Sequence, residues 1–158
     1  MMEEMIARYG DDIFRLCLLY LGDRYLAEDA FQDTFVKAWM RRAQFRGECS
    51  EKTWLSRIAV NTCRDMLRSG WFRMIKRSRP IEQLFDLAAP EQPDDAPVRR
   101  AVLALPGKYR EVIILYYDQG MKIREIAELL HLSANSTSTR LRRARALLKD
   151  MLGEEVDA

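Results

Sequence analysis

The chain has 158 residues, 48% of them hydrophobic and 32% charged, which allows one domain or two small ones. That apolar share excludes wholesale disorder, and no apolar run approaches the ~18 residues needed to span a bilayer. The opening "MMEEMIARYGDD" is acidic and lacks the basic-then-apolar layout of a signal peptide, so a cytoplasmic location is expected.

The net charge of +2 hides an asymmetry. Residues 1–72 balance 11 basic against 11 acidic groups, and residues 73–97 hold 4 against 5. Residues 98–152 carry 11 against 5, and the tail 153–158 has 3 acids and no base. One basic segment in a near-neutral chain is the footprint of a polyanion contact. Cys17, Cys49 and Cys63 are too widely spaced for a metal knuckle or a disulfide frame and read as plain thiols; Cys49, in a polar stretch, is the candidate for reactivity. The only histidine, His131, has no ligand cluster around it in sequence, and neither a P-loop nor a nucleophile–base pair is visible. No metal, cofactor or enzymatic activity is therefore expected.

In chain order, residues 1–79 contain no proline and show helical spacing throughout. Ile6, Tyr9, Ile13, Leu16 and Tyr20 mark a first helix, closed by Gly22. Asp23 is placed to cap a second, whose inner stripe is Ala27, Phe31, Phe35, Ala38 and Trp39 and whose outer face shows Glu28, Asp29, Gln32 and Asp33. The stretch 45–53, "FRGECSEKT", breaks the period and reads as a loop. A third helix turns Trp54, Leu55, Ile58, Ala59, Thr62 and Met66 inward and shows Arg57, Asn61, Arg64 and Arg68 on one polar, basic side. Trp39 and Trp54 thus read as core, while Trp71 is open to either reading. All five prolines fall between Pro80 and Pro106, so residues 73–97 read as a linker with extended segments.

A second helical block begins near Val98. Val102, Leu103 and Leu105 fit a short helix, Pro106 stands near the start of the next, and Gly120 ends it. "KIREIAELL" is a further helix, and Ser133 is a good N-cap for the last, so the final pair reads as a helix-turn-helix. In that last helix Thr137, Leu141, Ala144, Leu148 and Met151 form the inner stripe. Asn135, Ser138, Thr139, Arg142, Arg143 and Arg145 are left outside, with Arg140 on the flank. Small polar residues followed by unpaired arginines suit a phosphate backbone and base edges; the alternative is a surface helix whose arginines meet water. With no strand pattern visible, the fold class is all-α: two small helical domains, 1–72 and 98–152, joined by the linker 73–97 and followed by the acidic tail 153–158.

These residues resemble the bacterial RNA polymerase sigma factors of the extracytoplasmic-function type. "AEDAFQDTFVKAW" (27–39) looks like the family's region 2.2, and "FRGECSEKTWLSRIAVNTCRDMLR" (45–68) like regions 2.3 and 2.4. "LPGKYREVIILYYDQGMKIREIAELLHLSANSTSTRLRRARALL" (105–148) is similar to region 4, with its helix-turn-helix. The resemblance implies a sigma-2 domain that binds core polymerase and the −10 element, and a sigma-4 domain that binds the −35 element. Asp29, Gln32 and Asp33 would dock on the clamp helices of the β′ subunit, and the second domain would meet the β flap. Phe45 and Arg46, with the rest of the 45–53 loop, would take up an unstacked −10 base beside Asn61, with Arg57, Arg64 and Arg68 along the strand. Ser136, Ser138, Thr139, Arg140, Arg142, Arg143 and Arg145 would face the −35 duplex.

The resemblance also implies an anti-sigma factor as a partner, one that could hold the chain at a membrane. His131 stands where the family's turn commonly carries glycine, which would require a positive φ. Thr137 replaces a buried valine or isoleucine, so its hydroxyl must bond back to a carbonyl or reach water. A free-standing helix-turn-helix regulator is the competing function. It would need a sensor or dimer surface in the first block, where an acidic face and a basic face stand instead.

Overall fold

The computed structural model describes residues 2–69 and 96–153; the greater part of the linker, Trp71 and the tail beyond Gly153 lie outside the described residues. They form two compact units, residues 2–69 in one and 96–153 in the other. Every regular element among the described residues is helical.

The N-terminal unit is a three-helix bundle in which each helix packs on the other two: α1 Met2–Leu21, α2 Arg24–Arg41 and α3 Glu51–Arg68. Ile13, Leu16, Cys17, Tyr20 and Leu21 of α1 are buried against Leu26, Ala27, Ala30 and Phe35 of α2 and Leu55, Ile58, Ala59 and Val60 of α3. Fully burying an aliphatic side chain of this size contributes roughly 1.5–3 kcal/mol, so this shared interior holds the unit together. Gly22 takes φ +68° and turns the chain at the end of α1. Asp23 then caps α2, its Oδ1 accepting from the Leu26 N–H at 3.1 Å. At the opposite end the charged rims of α1 and α3 interlock: Asp12 meets Lys52 at 3.5 Å, and Glu51 meets Arg8 at 3.7 Å.

Three expectations are corrected in this unit. The buried stripe of α2 runs through Ala27, Ala30, Thr34 and Ala38, so Trp39, a step of 100° beyond Ala38, is carried to the flank and is 46% exposed. Met5 is buried at the start of α1, and Ile6 is 40% exposed. The loop after α2 is shorter than 45–53. A 3₁₀ turn, Arg42–Gln44, extends α2, and Ser50 caps α3 by accepting from the Thr53 N–H at 3.1 Å.

The C-terminal unit comprises α4 Ala96–Ala104, α5 Gly107–Ile113 with a π turn Ile114–Asp118, α6 Ile123–Leu130 and α7 Ala134–Leu152. Val112, Ile113, Ile114 and Leu115 of α5, Ile126 and Leu130 of α6, and Leu141, Ala144 and Leu148 of α7 form its core. The stripe of α7 stops at Leu148: Met151 is 45% exposed. Leu152, one turn beyond Leu148, is half-buried, so the packed stripe thins out in the last turn of this 19-residue helix.

Candidate nucleic-acid interface

The turn between α6 and α7 sets the angle at which α7 is presented. His131 takes φ +57° and ψ +45°, the left-handed conformation expected from its position. The Leu132 N–H reaches back to the Ala127 carbonyl at 2.9 Å, a six-to-one closure that satisfies a carbonyl at the end of α6. Ser133 then caps α7, its Oγ accepting from the Ser136 N–H at 3.0 Å. Thr137 is fully buried, and its hydroxyl donates to the Ser133 carbonyl at 2.9 Å, the back-bond expected of a threonine in this stripe. A run of poor helix formers is thus tied down by one cap, one back-bond and one buried methyl.

Outward from this anchor, Asn135, Ser136, Ser138, Arg142 and Arg143 are exposed, and Thr139 and Arg140 are half-buried. Among the described residues none of Arg140, Arg142 and Arg143 has an ion-pair partner. An open groove separates the first turn of α5 from the N-terminal half of α7, lined by Lys108, Tyr109, Asn135, Ser136, Thr139, Arg140 and Arg143. Helical spacing on α7 marks four of these and the family resemblance adds Ser136; Lys108 and Tyr109 go unmarked, because a contact between elements some thirty residues apart leaves no local signal.

Arg145 stands apart from this group. Its Nε donates to the Tyr117 hydroxyl at 2.5 Å, and its guanidinium lies 5.2 Å from the Tyr116 ring centre and 5.5 Å from that of Tyr117. The π turn makes this possible. The Gln119 N–H bonds to the Ile114 carbonyl at 3.1 Å, and the wider turn shifts both tyrosines from their α-helical positions. Arg110, unremarked in the sequence, is buried and donates to the Leu103 carbonyl at 3.1 Å, tying α5 to α4.

In the N-terminal unit the polar side of α3 has the expected order but a different character. Asn61 and Arg68 are exposed, Arg57 and Arg64 are half-buried, and Arg68 pairs with Asp65 at 3.8 Å. Phe45 stacks on Trp54 with ring centres 5.0 Å apart, both half-buried, so the loop before α3 is pinned to that helix; Arg46 beside it is exposed. Trp54 is therefore a partner of the loop as much as a core residue. At the end of α2, Arg42 lies 3.5 Å from the ring centre of the exposed Trp39.

Asp29, Gln32 and Asp33 share the exposed side of α2 with Tyr25, Val36 and Met40. Asp33 pairs with Lys37 at 3.1 Å, and Lys37 also donates to the Thr62 hydroxyl at 3.1 Å, which ties this face to α3. Exposed apolar side chains thus flank the acids along this face.

Cys17 and Cys63 are buried together. The hydrogen bond between them and their burial push the Cys63 thiol well above its ordinary value of 9.0, against a smaller opposing effect of Lys37. Cys49 is half-buried. Among the described residues no group of three or more His, Cys, Asp or Glu side chains could hold a metal, and no helix is long and apolar enough to cross a membrane.

A three-helix unit with an acidic–apolar face and a helix-turn-helix unit with exposed arginines define the class of a DNA-binding transcription protein. Comparison with known proteins makes this specific. Residues 5–73 match the model of sigma-70 region 2, and residues 96–148 that of sigma-70 region 4. The chain is 30% identical over 163 residues to the ECF RNA polymerase sigma factor SigW of Bacillus subtilis, covering 94% of this chain and 87% of that one. It is 34% identical over 157 residues to the probable RNA polymerase sigma factor RfaY of Xanthomonas campestris; that match takes in 90% of this chain and 38% of the much longer relative. Its fold is similar to that of the sigma factor RpoE in complex with the anti-sigma factor NepR from Bartonella quintana, with a TM-score of 0.76, 22% identity and 97% of each chain covered. It is also similar to CnrH in complex with the cytosolic domain of CnrY, with a TM-score of 0.67, 28% identity, and 98% of this chain and 88% of that one covered.

The chain belongs to the extracytoplasmic-function sigma factors of the sigma-70 family. It is an alternative sigma factor for transcription initiation, and the reading as a free-standing regulator is not favoured. Sigma factors are not enzymes.

Proposed function

We propose that this sigma factor divides promoter recognition between its two units, with residues 1–72 acting as sigma-2, 98–152 as sigma-4, and 73–97 as the linker between them. The observation that supports this best is that each unit turns a polar, cationic side of one helix outward while the rest of that helix is held in the core. In the first unit Asp29, Gln32 and Asp33 bind the clamp helices of the polymerase β′ subunit. Phe45 and Arg46 with Asn61 receive an unstacked −10 base, and Arg57, Arg64 and Arg68 follow the strand backbone. In the second unit Ser136, Ser138, Thr139, Arg140, Arg142 and Arg143 meet the −35 duplex, and the unit rests on the β flap. Arg145 stands at the edge of that surface, held by Tyr117. Small polar side chains at the start of α7 let the backbone of DNA approach closely, and arginines beyond them supply phosphate or guanine contacts.

The chain works in the cytoplasm, performs no catalysis of its own, and is restrained by an anti-sigma factor that covers one or both of these faces. The complexes formed by RpoE with NepR and by CnrH with CnrY support that last role.

The test is to mix the purified chain with core polymerase and a library of promoter fragments and to sequence the transcripts. Position-specific starts that share two spaced elements are expected. Tight duplex binding without polymerase, and no new starts with it, would refute the reading. Asp29→Arg combined with Asp33→Arg is expected to abolish polymerase binding while the chain stays folded by circular dichroism.

A further inference from the structure

Deepening the reading of the second unit as a −35 binder, we infer that the groove between α5 and α7 holds one backbone phosphodiester of the duplex, with Lys108 as a DNA-contacting residue outside the recognition helix. Lys108 from the first turn of α5 converges there with Arg140 and Arg143 of α7, and no carboxylate is among the residues that line the groove. Three like charges gathered around one opening repel one another, and an anion seated between them relieves that repulsion. The hydroxyls of Ser136 and Thr139 line the same groove and supply neutral donors for phosphate oxygens.

Three features favour a nucleic-acid backbone over a small free anion. The groove is open, so a chain can run through it. One wall is the half-buried Tyr109 ring, an apolar surface suited to the sugar that flanks a phosphate. The groove is also continuous with Asn135 and Thr139 on the polar side of α7. Lys108 itself is exposed and lies 5.0 Å from the Tyr109 ring centre, so its charge is held over the groove without being neutralised. Such a contact positions the duplex and carries no sequence information.

The experiment uses the full chain with core polymerase and a labelled duplex carrying the −35 element, titrated over a series of salt concentrations. Replacing Lys108 by glutamine is expected to lower the slope of log K against log[salt] by about 0.9, the value for one phosphate contact. It should weaken binding to a scrambled duplex by the same factor as to the −35 duplex, and Lys108→Arg should restore both. A methylphosphonate at the contacted phosphate should erase the difference between wild type and Lys108→Gln. An unchanged slope in Lys108→Gln, or a loss confined to the −35 sequence, would overturn the inference. Failure of the wild-type holoenzyme to prefer the −35 duplex over the scrambled one would instead overturn the reading on which it rests.

Discussion

The outward sides of α3 and α7 were legible by the same helical spacing, yet they are built differently. On α3 the cations are interlocked: Arg68 pairs with Asp65, Arg57 and Arg64 are half-buried and engaged, and the neighbouring Phe45–Trp54 stack supplies aromatic surface. On α7, Arg140, Arg142 and Arg143 have no ion-pair partner among the described residues, and two of them converge with Lys108 on one groove. The first arrangement fits a single strand, whose unstacked bases lie on rings while cations track its backbone. The second fits a duplex backbone, where affinity comes from neutralised phosphates and falls steeply with salt. Two basic helices in one chain are therefore built differently, and a count of arginines does not separate them.

The largest expected effect breaks the α7 side. Arg140→Gln combined with Arg143→Gln should reduce binding of the −35 duplex by about tenfold to a hundredfold at physiological salt and lower the salt slope by about 1.8, for two lost phosphate contacts. An equal loss on a single-stranded −10 oligonucleotide would erase the distinction between the two helices.

A smaller effect is expected at Arg145. Because it is engaged by Tyr117 and lies beside the Tyr116 ring, Arg145→Gln should leave the salt slope nearly unchanged, with any loss of affinity matched by Tyr117→Phe. A fall in slope as large as that of Lys108→Gln would make Arg145 a phosphate contact after all.

The smallest effects concern how α7 is seated. His131→Gly relieves a non-glycine residue of its left-handed backbone and should stabilise the C-terminal unit by about 0.5–1 kcal/mol, a rise of a few degrees in Tm. Thr137→Val should change stability by less than about 1 kcal/mol. The Ser133 carbonyl already accepts the Thr137 N–H at 3.0 Å, so loss of the hydroxyl leaves no acceptor unpaired. A large destabilisation by Thr137→Val would mean that the hydroxyl, rather than the methyl, fixes the helix.

How much of this was readable in the sequence depended on the range of the interaction. Local devices were legible. Asp23 and Ser133 cap where their position before a periodic run required, Gly22 turns the chain, and Thr137 bonds back to the carbonyl four residues earlier. Ser50 could have been found by the same rule, since a serine directly before Glu51 at a helix start is a cap signal. The hydrophobicity of Trp39 points it inward, whereas the buried stripe is defined by the small residues Ala30, Thr34 and Ala38 and leaves the indole on the flank. The π turn leaves no mark in composition, and with it the engagement of Arg145 by Tyr117 stayed hidden. Lys108 reaches the candidate interface through the packing of α5 on α7, which no local spacing encodes.

The division of work between the two units is tested most directly by probing both promoter elements in one complex. Permanganate reactivity of −10 thymines reports opened DNA, and protection of the −35 element reports the docked duplex. For Asn61→Ala the account predicts about a tenfold loss of permanganate reactivity with −35 protection retained, and for Arg140→Gln with Arg143→Gln a loss of both signals. Equal loss of the two signals in Asn61→Ala would contradict it.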